Sequence, residues 1–304
     1  HLLLAPLAPP PAMISFAITA KIKGEEDKIV QGLHRLHEED PSVRIERSES
    51  TGDLLLSTLG QLHAEVTLEK LRRKFGVDAE LHEPHVPYRE TVGRKATAQG
   101  KYKKQSGGRG QYGDCHITIE PNPGLGFEYV DAIVGGSIPR QYIPAVEKGI
   151  VEAMKRGVLA HCPVVDVKVT CFDGSYHDVD SSEMAFKVAG SMAFKKACES
   201  AAMRLLEPIM AMEVVCPDDC LGDVIGDLNS RRGRVHGMES KGTSQVVKVS
   251  VPMAEVLKYA PDLRSLTSCR GSFSMEFERY EEAPPPVAQK IIAQVKREEA
   301  EEHE

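Results

Sequence analysis

The stretch DLLLSTLGQLHAEVTLEKLRRKFGVDAELHE, residues 53–83, changes from a strand pattern to a helix pattern and back again. Its first part, residues 53–59, is a short apolar run typical of a strand. In its middle part Leu62, Val66, Leu68 and Leu71 recur near helical spacing, and Gly76 stands where the helix should end. The last part, VDAELHE, is again typical of a strand. A strand, a helix and a strand in this order predict half of a compact α+β unit.

The residues before this stretch complete the unit. The elements predicted there are a strand over 14–22, a helix over 25–40 and a strand over 43–47. In the helix Ile29, Leu33 and Leu36 recur near helical spacing, acidic residues occupy the first turn, and Pro41 follows the last. The order β-α-β-β-α-β predicts a ferredoxin-like domain, to which we assign residues 12–86.

The same order of elements recurs in residues 207–280, although the residues themselves do not match. The predicted elements there are strands over 207–216, 234–240, 244–252 and 271–280, and helices over 217–233 and 253–268. Pro217 stands at the start of the first helix and Gly233 at its end, whereas Pro261 interrupts the second helix. Two ferredoxin-like domains are therefore predicted to flank residues 87–206.

Residues 87–206 follow a different α/β pattern. The predicted strands are 95–105, 114–121, 126–134 and 163–174, and the predicted helices are 139–157 and 181–200. Ser182 or Asp180 can cap the second helix. At the two ends of the chain we expect a proline-rich linker over residues 1–11, not a signal peptide, and a C-terminal helix with an acidic tail over 281–304.

Composition limits the class of function. The net charge of −7 argues against a general nucleic-acid binder. The middle segment alone is net positive, however, and its basic residues cluster around one glycine-rich loop. They are Arg94, Lys95, Lys101, Lys103, Lys104 and Arg109. Because no apolar run reaches the roughly 18 residues of a membrane span, we expect no membrane partner.

The cysteines and histidines indicate neither disulfides nor a metal site. Seven scattered cysteines without a CxxC pair are typical of reduced thiols in the cytoplasm. The histidine pairs His34/His37 and His82/His85 have the close spacing of zinc ligands, but no four-ligand pattern follows. We therefore predict a cytoplasmic protein without a metal.

The glycine-rich loop is SGGRGQYG, Ser106–Gly113, and lies between two predicted strands. A phosphate-binding loop would lead into a helix and carry Lys-Ser or Lys-Thr, so nucleotide binding is not expected. Glycine supplies the positive φ angles of a hairpin loop, but this loop is longer than a minimal hairpin. The extra residues indicate a contacting tip, in which Arg109 can fork onto phosphate and Tyr112 can stack on a base.

A second loop, FDGSYHDVDSSE (172–183), leads from a strand into a helix. Its serine, histidine and aspartate stand too close in sequence for a catalytic triad, and Asp178, Asp180 and Ser181 are more simply helix caps. His177 is a hydrogen-bond donor near the loop end. It is either a contact residue or a satisfied surface histidine.

Arginines bunch in LGDVIGDLNSRRGRVHGM (221–238), at the end of a predicted helix. Arg231, Arg232 and Arg234 either complement the helix dipole or contact RNA phosphates. Arg270 lies in CRGSF (269–273), which enters the last predicted strand through a glycine turn. This pattern alone is weak evidence for a functional role.

Together these stretches resemble the C-terminal part of bacterial elongation factor G, the ribosomal translocase. The motifs that carry the resemblance are KKQSGGRGQYG, AIVGGSIPRQYIPAVEKGI, DGSYHDVDSSEMAFKVAGSMAFK, LEPIM, GDVIGDLNSRRG and DLRSLTSCRGSF. The resemblance implies the third, fourth and fifth domains of that family. Domains III and V are ferredoxin-like, and domain IV has a ribosomal protein S5 domain 2-like fold. The segments STLGQLHAEVTLEKL and ISFAITAKIKGEEDK depart from the commonest family form, which indicates a paralogue of the main translocase.

The resemblance also assigns roles to residues. The tip of domain IV enters the decoding region and meets the tRNA–mRNA duplex, and the loop 135–139 lies nearby. The implied tip contacts are Ser106, Gly107, Gly108, Arg109, Gly110, Gln111, Tyr112, Ser175, Tyr176 and His177. The implied ribosomal-RNA contacts of domain V are Arg231, Arg232, Arg234 and Arg270. The implied partners are both ribosomal subunits and the tRNA–mRNA complex, engaged by a monomer.

The nucleotide-binding motifs of the family do not occur in this sequence. We expect no GTP hydrolysis, no catalytic residue and no cofactor in this chain, with GTP and Mg²⁺ bound by N-terminal GTPase domains of a longer protein. Three alternatives stay open. One is a related factor in ribosome recycling or ribosome protection, and another is a stand-alone enzyme that uses His177 with Asp178 or Cys171. The third is a protein-interaction module without salt-dependent affinity for RNA.

Overall fold

A computed structural model describes residues 14–48, 51–105 and 110–302 of the chain. The predicted linker over residues 1–11 lies outside these ranges. The first sheet and its helices are β1 (Ile14–Ala20), α1 (Glu26–Glu39), β2 (Arg44–Arg47), β3 (Leu54–Thr58), α2 (Gln61–Phe75) and β4 (Ala79–His82). The strands pair antiparallel in the order β2-β3-β1-β4, which is the topology of a ferredoxin-like domain. Leu33, Leu56 and Leu71 are fully buried in its core.

The buried face of α2 differs from the predicted one. Leu62 is 72% exposed and Val66 is 43% exposed. The helix instead buries Ala64, Thr67 and Leu71, which are spaced by three and four residues and so share one face. The prediction was wrong for Leu62 and Val66 because a small residue and a threonine, not the longer side chains, pack on the sheet. Gly76 ends the helix in the left-handed conformation with φ 65°, as predicted.

The middle sheet lies under two helices. The elements are β5 (Arg89–Thr91), β6 (Ala96–Lys104), β7 (Gln111–Pro121), β8 (Glu128–Asp131), α3 (Ile143–Arg156), β9 (Val167–Ser175) and α4 (Glu183–Ser200). The sheet order is β6-β7-β9-β8, and only the described β8–β9 pair is parallel. Phe186 and Phe194 of α4 are fully buried against it. The side chain of Ser182 caps α4 by accepting from the Ala185 N–H at 3.2 Å, which confirms one of the two predicted caps.

Helix α4 lies unusually close to the strands that lead to the glycine-rich loop. A Cβ added at Gly100 of β6 would come within 2.1 Å of the Ala189 carbonyl oxygen. One added at Gly113 of β7 would come within 2.6 Å of the Ala185 carbonyl oxygen. Glycine at both positions lets α4 approach the hairpin closely, and this approach fixes the hairpin relative to the start of α4.

The third sheet repeats the topology of the first. Its elements are β10 (Arg204–Pro217), α5 (Leu221–Ser230), β11 (Arg234–Lys241), β12 (Ser244–Pro252), α6 (Met253–Val256), α7 (Tyr259–Leu266) and β13 (Ser272–Glu282). The order is β11-β12-β10-β13. The predicted class, α+β with two ferredoxin-like domains flanking an S5 domain 2-like unit, is confirmed. The helix break falls at Leu257 and Lys258, not at Pro261. Pro261 is accommodated in the first turn of α7, where its missing N–H has no intrahelical partner to lose.

The start of the middle unit is anchored by a buried carboxylate that the sequence patterns do not predict. β5 pairs antiparallel with the start of β10. Glu90 of β5 has 0% exposure. Its two oxygens accept from backbone N–H groups of the segment after α3. These donors are Val158 at 2.8 Å, Leu159 at 2.9 Å, Ala160 at 2.7 Å and Cys162 at 3.1 Å. Several N–H donors on one carboxylate offset its desolvation.

The described chain divides into two compact units. One contains the chain up to Pro87 together with Pro208–Tyr280, and the other contains Tyr88–Glu207 together with the residues from Glu281 onward. Within the first unit, Ile14 of β1 belongs to the apolar core of the third sheet. In the second unit α8 (Pro285–Glu302) packs Ile291 and Ile292 against a small cluster that contains Leu205.

Candidate nucleic-acid interface

Two loops of the middle unit meet at one end of its sheet. One joins β6 to β7 and the other joins β9 to α4. Four predicted contact residues of the first loop, Ser106, Gly107, Gly108 and Arg109, lie outside the described residues. The remaining predicted contacts are described, and we call Gly110–Tyr112 together with Ser175–Ser181 the tip.

Backbone and side-chain hydrogen bonds tie the two loops into one body. The Tyr112 N–H donates to the Asp180 carbonyl oxygen at 2.9 Å. The Gly110 N–H donates to Asp180 Oδ1 at 3.1 Å. The Ser181 hydroxyl donates to the Tyr112 carbonyl oxygen at 3.1 Å. Ser181 is only 5% exposed, so the joint is shielded from water and its hydrogen bonds are costly to break.

A second connection runs through side chains below the first. Asp114 of β7 is 5% exposed, and its Oδ2 accepts from the Ser175 hydroxyl at 2.7 Å. Because the serine hydroxyl has one hydrogen, the hydroxyl of Tyr112, 2.7 Å from Ser175 Oγ, must donate to it. Gln99 Nε2 donates to the other Asp114 oxygen at 2.8 Å. The Tyr112 ring is therefore held in one orientation by a chain of hydrogen bonds that ends on a buried carboxylate.

His177 lies on the outer side of this joint with its side chain 57% exposed. Its backbone N–H donates to Ser181 Oγ at 2.9 Å. Its ring Nδ1 lies 3.3 Å from the backbone nitrogens of both Val179 and Asp180, which donate to it. The Asp180 carboxylate lies 3.6 Å from the same ring nitrogen. The loop therefore orients the imidazole through backbone groups.

The exposed side chains of the tip include a phenol ring, an imidazole and the apolar Val179, and a basic strand runs beside them. Tyr176 is 46% exposed. Lys101, Lys103 and Lys104 of β6 are exposed on the strand that ends at the tip. The Lys101 ammonium lies 5.7 Å from the centre of the Tyr112 ring. Cations beside an exposed ring and a hydrogen-bond donor suit a nucleic acid, which offers phosphates, bases and sugar hydroxyls together.

The structure changes which tyrosine is available for stacking. We predicted Tyr112 as the stacking residue, but its hydroxyl is used within the protein and its ring is half-buried. Tyr176 is the more exposed of the two rings. Ser175 likewise serves the internal connection to Asp114. Of the second predicted loop, Tyr176 and His177 therefore carry the exposed chemistry.

The loop over residues 135–139 does lie next to the tip. Ile138 is 1% exposed, and its side chain would lie 2.6 Å from a Cβ added at Gly174. Gly174 immediately precedes Ser175. Gly135 and Gly136 both have φ 74°, a conformation that L-residues rarely adopt. The loop thus reaches the base of the tip through a buried isoleucine.

The predicted arginines of the third sheet have unequal surroundings. Arg231 is 20% exposed, and its guanidinium donates to Asp227 at 2.8 Å, to Asp262 at 2.7 Å and to the Glu255 carbonyl oxygen at 2.9 Å. It also lies 5.3 Å from the centre of the Tyr259 ring. Hydrogen bonding to Asp227 raises the pKa of Arg231, although burial opposes the rise. Arg231 is thus committed to holding α5 against α7.

The other three arginines are nearer to solvent. Arg270 is 51% exposed and donates to Asp219 at 2.8 Å. Arg232 donates to Glu255 at 3.1 Å with 29% exposure. Arg234 is exposed at the start of β11. The exposed ion pair of Arg270 is worth little in water, so a phosphate can compete for this side chain at small cost.

Sequence reasoning missed the residues that hold the tip together. Asp180 and Ser181 were interpreted as helix caps, although their main partners are Gly110 and Tyr112 of the other loop. Asp114 was not singled out at all. One signal was available for Asp114, since an aspartate inside a strand of apolar residues needs a partner. No local pattern indicates Asp180, because its partners are distant in sequence.

The cysteine of the enzyme alternative is poorly suited to act as a nucleophile. Cys171 is fully buried, and burial raises its pKa to about 11, which leaves the thiol protonated and poorly nucleophilic. His177 contacts backbone amides through Nδ1. Within the described residues, no group of histidine, cysteine, aspartate or glutamate side chains is arranged to hold a metal ion.

The described helices include none long and apolar enough to cross a membrane.

Comparison with known proteins identifies each of the three domains. Family models match residues 9–83 as elongation factor G domain III, residues 84–202 as elongation factor G domain IV, and residues 204–291 as the elongation factor G C-terminus. The crystal structure of a protein from Thermus thermophilus superimposes with a TM-score of 0.84 at 45% sequence identity. That match covers 96% of this chain and 44% of the other, so the chain spans less than half the length of this relative.

Proposed function

Because the chain belongs to the elongation factor G family and carries its domain III, domain IV and C-terminal domain, we propose that it is the ribosome-engaging part of a translocase. The GTPase module of the longer protein binds GTP and Mg²⁺ and hydrolyses the nucleotide. This chain converts that event into movement of tRNA and mRNA. Its cellular site of action is the cytoplasm, and it works as a monomer.

The observation that carries this proposal is the joining of the two loops at the tip. Asp180 and Ser181 bond to Gly110 and Tyr112 of the hairpin, so the backbone that carries Tyr176 and His177 is positioned before any partner arrives. Preorganisation lowers the entropy lost on binding. Such a tip can enter a narrow RNA site and resist the return of the tRNA without any acid, base or nucleophile.

Each group at the tip has a role in this proposal. The lysines of β6 and Arg109 neutralise phosphates, which supplies affinity without sequence preference. Tyr176 stacks on a base or a sugar, and His177 donates a hydrogen bond to the tRNA–mRNA duplex. Gln111 is exposed at the start of β7 and adds a second polar contact. Tyr112 and Ser175 support these residues from inside.

The C-terminal domain supplies a second attachment in this proposal. Arg232, Arg234 and Arg270 contact ribosomal RNA of the large subunit. Arg232 and Arg270 do so by exchanging the carboxylates of Glu255 and Asp219 for phosphates. Arg231 supports them by holding α5 in place. Two separated attachments through one chain strengthen binding beyond either contact alone.

Ribosome co-sedimentation across a salt series tests the proposal, with chemical footprinting of the ribosomal RNA in the same samples. We expect binding that weakens steeply with salt and protection of the decoding region and of the large-subunit stalk base. The longer protein with a non-hydrolysable GTP analogue serves as the reference. If neither the chain nor the longer protein binds ribosomes, the proposal is wrong.

A further inference from the structure

We propose that the face of the middle sheet directed away from α3 and α4 is a second RNA-binding surface, on which the rings of Phe172 and His116 stack an unpaired base. Its occupant is a nucleotide of ribosomal RNA. We call Phe172, His116, Lys101 and Lys103 the platform. The stacking site can be tested without ribosomes, whereas the source of the RNA rests on the proposed function.

The two rings of the platform share one face of the sheet. In β7 Cys115 and Ile117 are fully buried in the core, so His116 between them points to the opposite face. In β9 Phe172 follows the fully buried Cys171 and points the same way. The ring centres of His116 and Phe172 lie 6.0 Å apart, with 58° between the ring planes. The two side chains therefore form one continuous ring surface.

A β-bulge gives Phe172 its position. Ile117 pairs with Cys171 and His116 pairs with Asp173, so Phe172 has no partner on β7. An extra residue of this kind bends its strand and re-aims its side chain. Phe172 is 39% exposed, although β9 is an internal strand of the sheet. The bulge therefore leaves an aromatic ring accessible to a partner.

The imidazole beside this ring has hydrogen-bonding capacity to offer. Among the described residues, none forms a hydrogen bond with a ring nitrogen of His116. A base stacked on Phe172 presents its edge, and the attached ribose presents its 2′-hydroxyl, to a group at the side of the ring. His116 can bond to either of them, because an imidazole offers both a donor and an acceptor or two donors.

Lysines extend the platform along β6. Gln99 pairs with His116, and Lys101 and Lys103 follow Gln99 at every second residue, so they lie on the same face. They stand about 7 Å and about 14 Å further along the strand. Both side chains are exposed. A strand whose base stacks on Phe172 can therefore run its phosphates along these two cations.

Other charges on this face are largely paired or shielded. Lys95 pairs with Glu120 at 3.4 Å, and Lys168 pairs with Glu128 at 3.0 Å. Asp114 is 5% exposed and accepts hydrogen bonds within the protein. The attraction for phosphate is thus confined to the part of the face nearest the tip, and stacking supplies most of the affinity.

The platform is continuous with the tip. Phe172 precedes Ser175, the first tip residue of β9, by three residues, which is about 10 Å along the strand. In the proposed function the tip meets the tRNA–mRNA duplex, whose bases are already paired. A base free to stack on Phe172 comes from a loop or a bulge. Ribosomal RNA, which surrounds the duplex, is therefore the source of that base.

NMR titration of the whole chain with hexauridylate, a single-stranded RNA, tests the platform without ribosomes. We expect upfield shifts of the Phe172 ring signals and changes at the amides of His116 and Phe172, because a stacked base shields the ring. A short RNA duplex, whose bases are paired, should change the signals of Lys101 and Lys103 and leave the Phe172 ring signals in place. Unchanged Phe172 ring signals at millimolar hexauridylate would overturn the proposal.

Substitutions separate stacking from charge. Phe172→Leu should weaken hexauridylate binding at least about fivefold, with the same slope of log affinity against log salt. Lys103→Gln should instead reduce that slope by about 0.7. Phe277→Leu is the matched control, because Phe277 of β13 is 56% exposed outside the platform, and its affinity should equal that of wild type.

A further variant guards against a purely structural effect. Phe172→Tyr keeps a ring that can stack and should bind hexauridylate like wild type. If Phe172→Tyr shares the defect of Phe172→Leu, or if Phe172→Leu binds as tightly as wild type, the ring does not stack a base and the proposal is wrong.

Photocrosslinking with the longer protein on ribosomes identifies the source of the RNA. Phe172→p-benzoylphenylalanine should crosslink to ribosomal RNA. Crosslinks only to tRNA or mRNA, or none from the bound protein, would overturn the ribosomal source, and crosslinks only to a ribosomal protein would overturn the RNA assignment. Failure of the longer protein to bind ribosomes would refute the proposed function, whereas the hexauridylate titration would still decide whether the platform stacks a base.

Discussion

The backbone N–H of Tyr112 donates to the backbone carbonyl oxygen of Asp180 at 2.9 Å, and this bond joins the hairpin of β6 and β7 to the loop before α4. The same aspartate accepts from Gly110 through its carboxylate. Two loops from distant parts of the middle unit thus share one residue as their anchor. Mutations that loosen this anchor should affect both loops together, because Asp180 bonds to the hairpin through both its carbonyl oxygen and its carboxylate.

Replacing Ser181 by alanine should loosen the tip. The variant loses the acceptor for the His177 N–H and the donor to the Tyr112 carbonyl. Since the site is buried, the expected cost is about 1–3 kcal/mol. Faster amide hydrogen exchange at both His177 and Tyr112 is the measurement. The matched control is Ser182→Ala, which removes the α4 cap and costs about 1 kcal/mol but should leave these two amides protected. Equal exchange in Ser181→Ala and wild type would contradict the shared anchor.

Removing hydroxyls along the hydrogen-bond path from Tyr112 through Ser175 to Asp114 should lower the free energy of unfolding by graded amounts. Ser175→Ala leaves the buried Asp114 carboxylate without one donor, at a cost of about 1–3 kcal/mol. Tyr112→Phe removes only the bond to Ser175 and should cost about 0.5–1.5 kcal/mol. Denaturant unfolding of the middle unit measures the stability loss of each variant and so ranks the two losses. The exposed Tyr176→Phe is the control, expected within about 0.5 kcal/mol of wild type. A larger loss of unfolding free energy for Tyr112→Phe than for Ser175→Ala would contradict a hydrogen-bond path that ends on the Asp114 carboxylate.

Glu90→Gln should destabilise the middle unit strongly although it preserves the size of the side chain. The amide –NH₂ group would face backbone N–H donors that now bind a carboxylate oxygen. A donor-against-donor contact in a buried site should cost about 2–4 kcal/mol. Denaturant unfolding measures the change, and Glu120→Gln on the surface is the control, with an expected effect within about 0.5 kcal/mol. A small effect at Glu90 would contradict the role of its carboxylate as the acceptor that holds the segment after α3.

Arg231→Lys should lower the stability of the C-terminal domain, because lysine cannot reproduce a fork to Asp227 and Asp262 together. We expect a loss of about 1–3 kcal/mol in denaturant. Arg270→Lys is the matched control. Its ion pair is half-exposed, so stability should stay within about 0.5 kcal/mol of wild type. Equal losses in the two variants would contradict the structural role of Arg231.

Acidification should weaken domain III in part through Asp40. A hydrogen bond from the Ser42 hydroxyl at 2.5 Å is the main cause that lowers the pKa of Asp40, although burial opposes it. A depressed pKa stabilises the fold above the unfolded value of about 3.9, and this contribution is lost as pH falls through the folded value. Ser42→Ala should therefore reduce the difference in unfolding free energy between about pH 6 and about pH 3. An unchanged difference would show that Asp40 does not contribute.

Much of the architecture could be predicted because local patterns and tertiary packing agree. In α1 the predicted apolar spacing matches the buried positions Ile29, Leu33 and Leu36, and Gly76 and Ser182 end or start helices as their chemistry predicts. In α2 the same approach chose the wrong face, because Leu62 and Val66 are spaced like a buried pair but lie in solvent. β5 was missed because three residues carry too little pattern, and its pairing with β10 links distant segments.

In the candidate site, too, local patterns predicted some residues and missed others. The loop between a strand and a helix indicated His177 as a hydrogen-bond donor, whereas Tyr176 was implied only by the family resemblance. The internal roles of Asp180, Ser181 and Asp114 could not, because each depends on a partner brought close only by folding. The ribosomal-RNA and tRNA contacts themselves stay predictions that require the ribosome.

The rate of a single round of translocation, measured with the longer protein on pre-translocation ribosomes, tests the central claim most directly. The variant is His177→Ala with Tyr176→Ala, which removes the exposed phenol ring and the imidazole of the tip. The control is Leu125→Ala, which is 77% exposed and follows the far end of β7. We predict at least a tenfold slower rate for the double variant, unchanged GTP hydrolysis, and a control rate equal to wild type. A wild-type rate in the double variant would contradict the assignment of the tip to the tRNA–mRNA duplex.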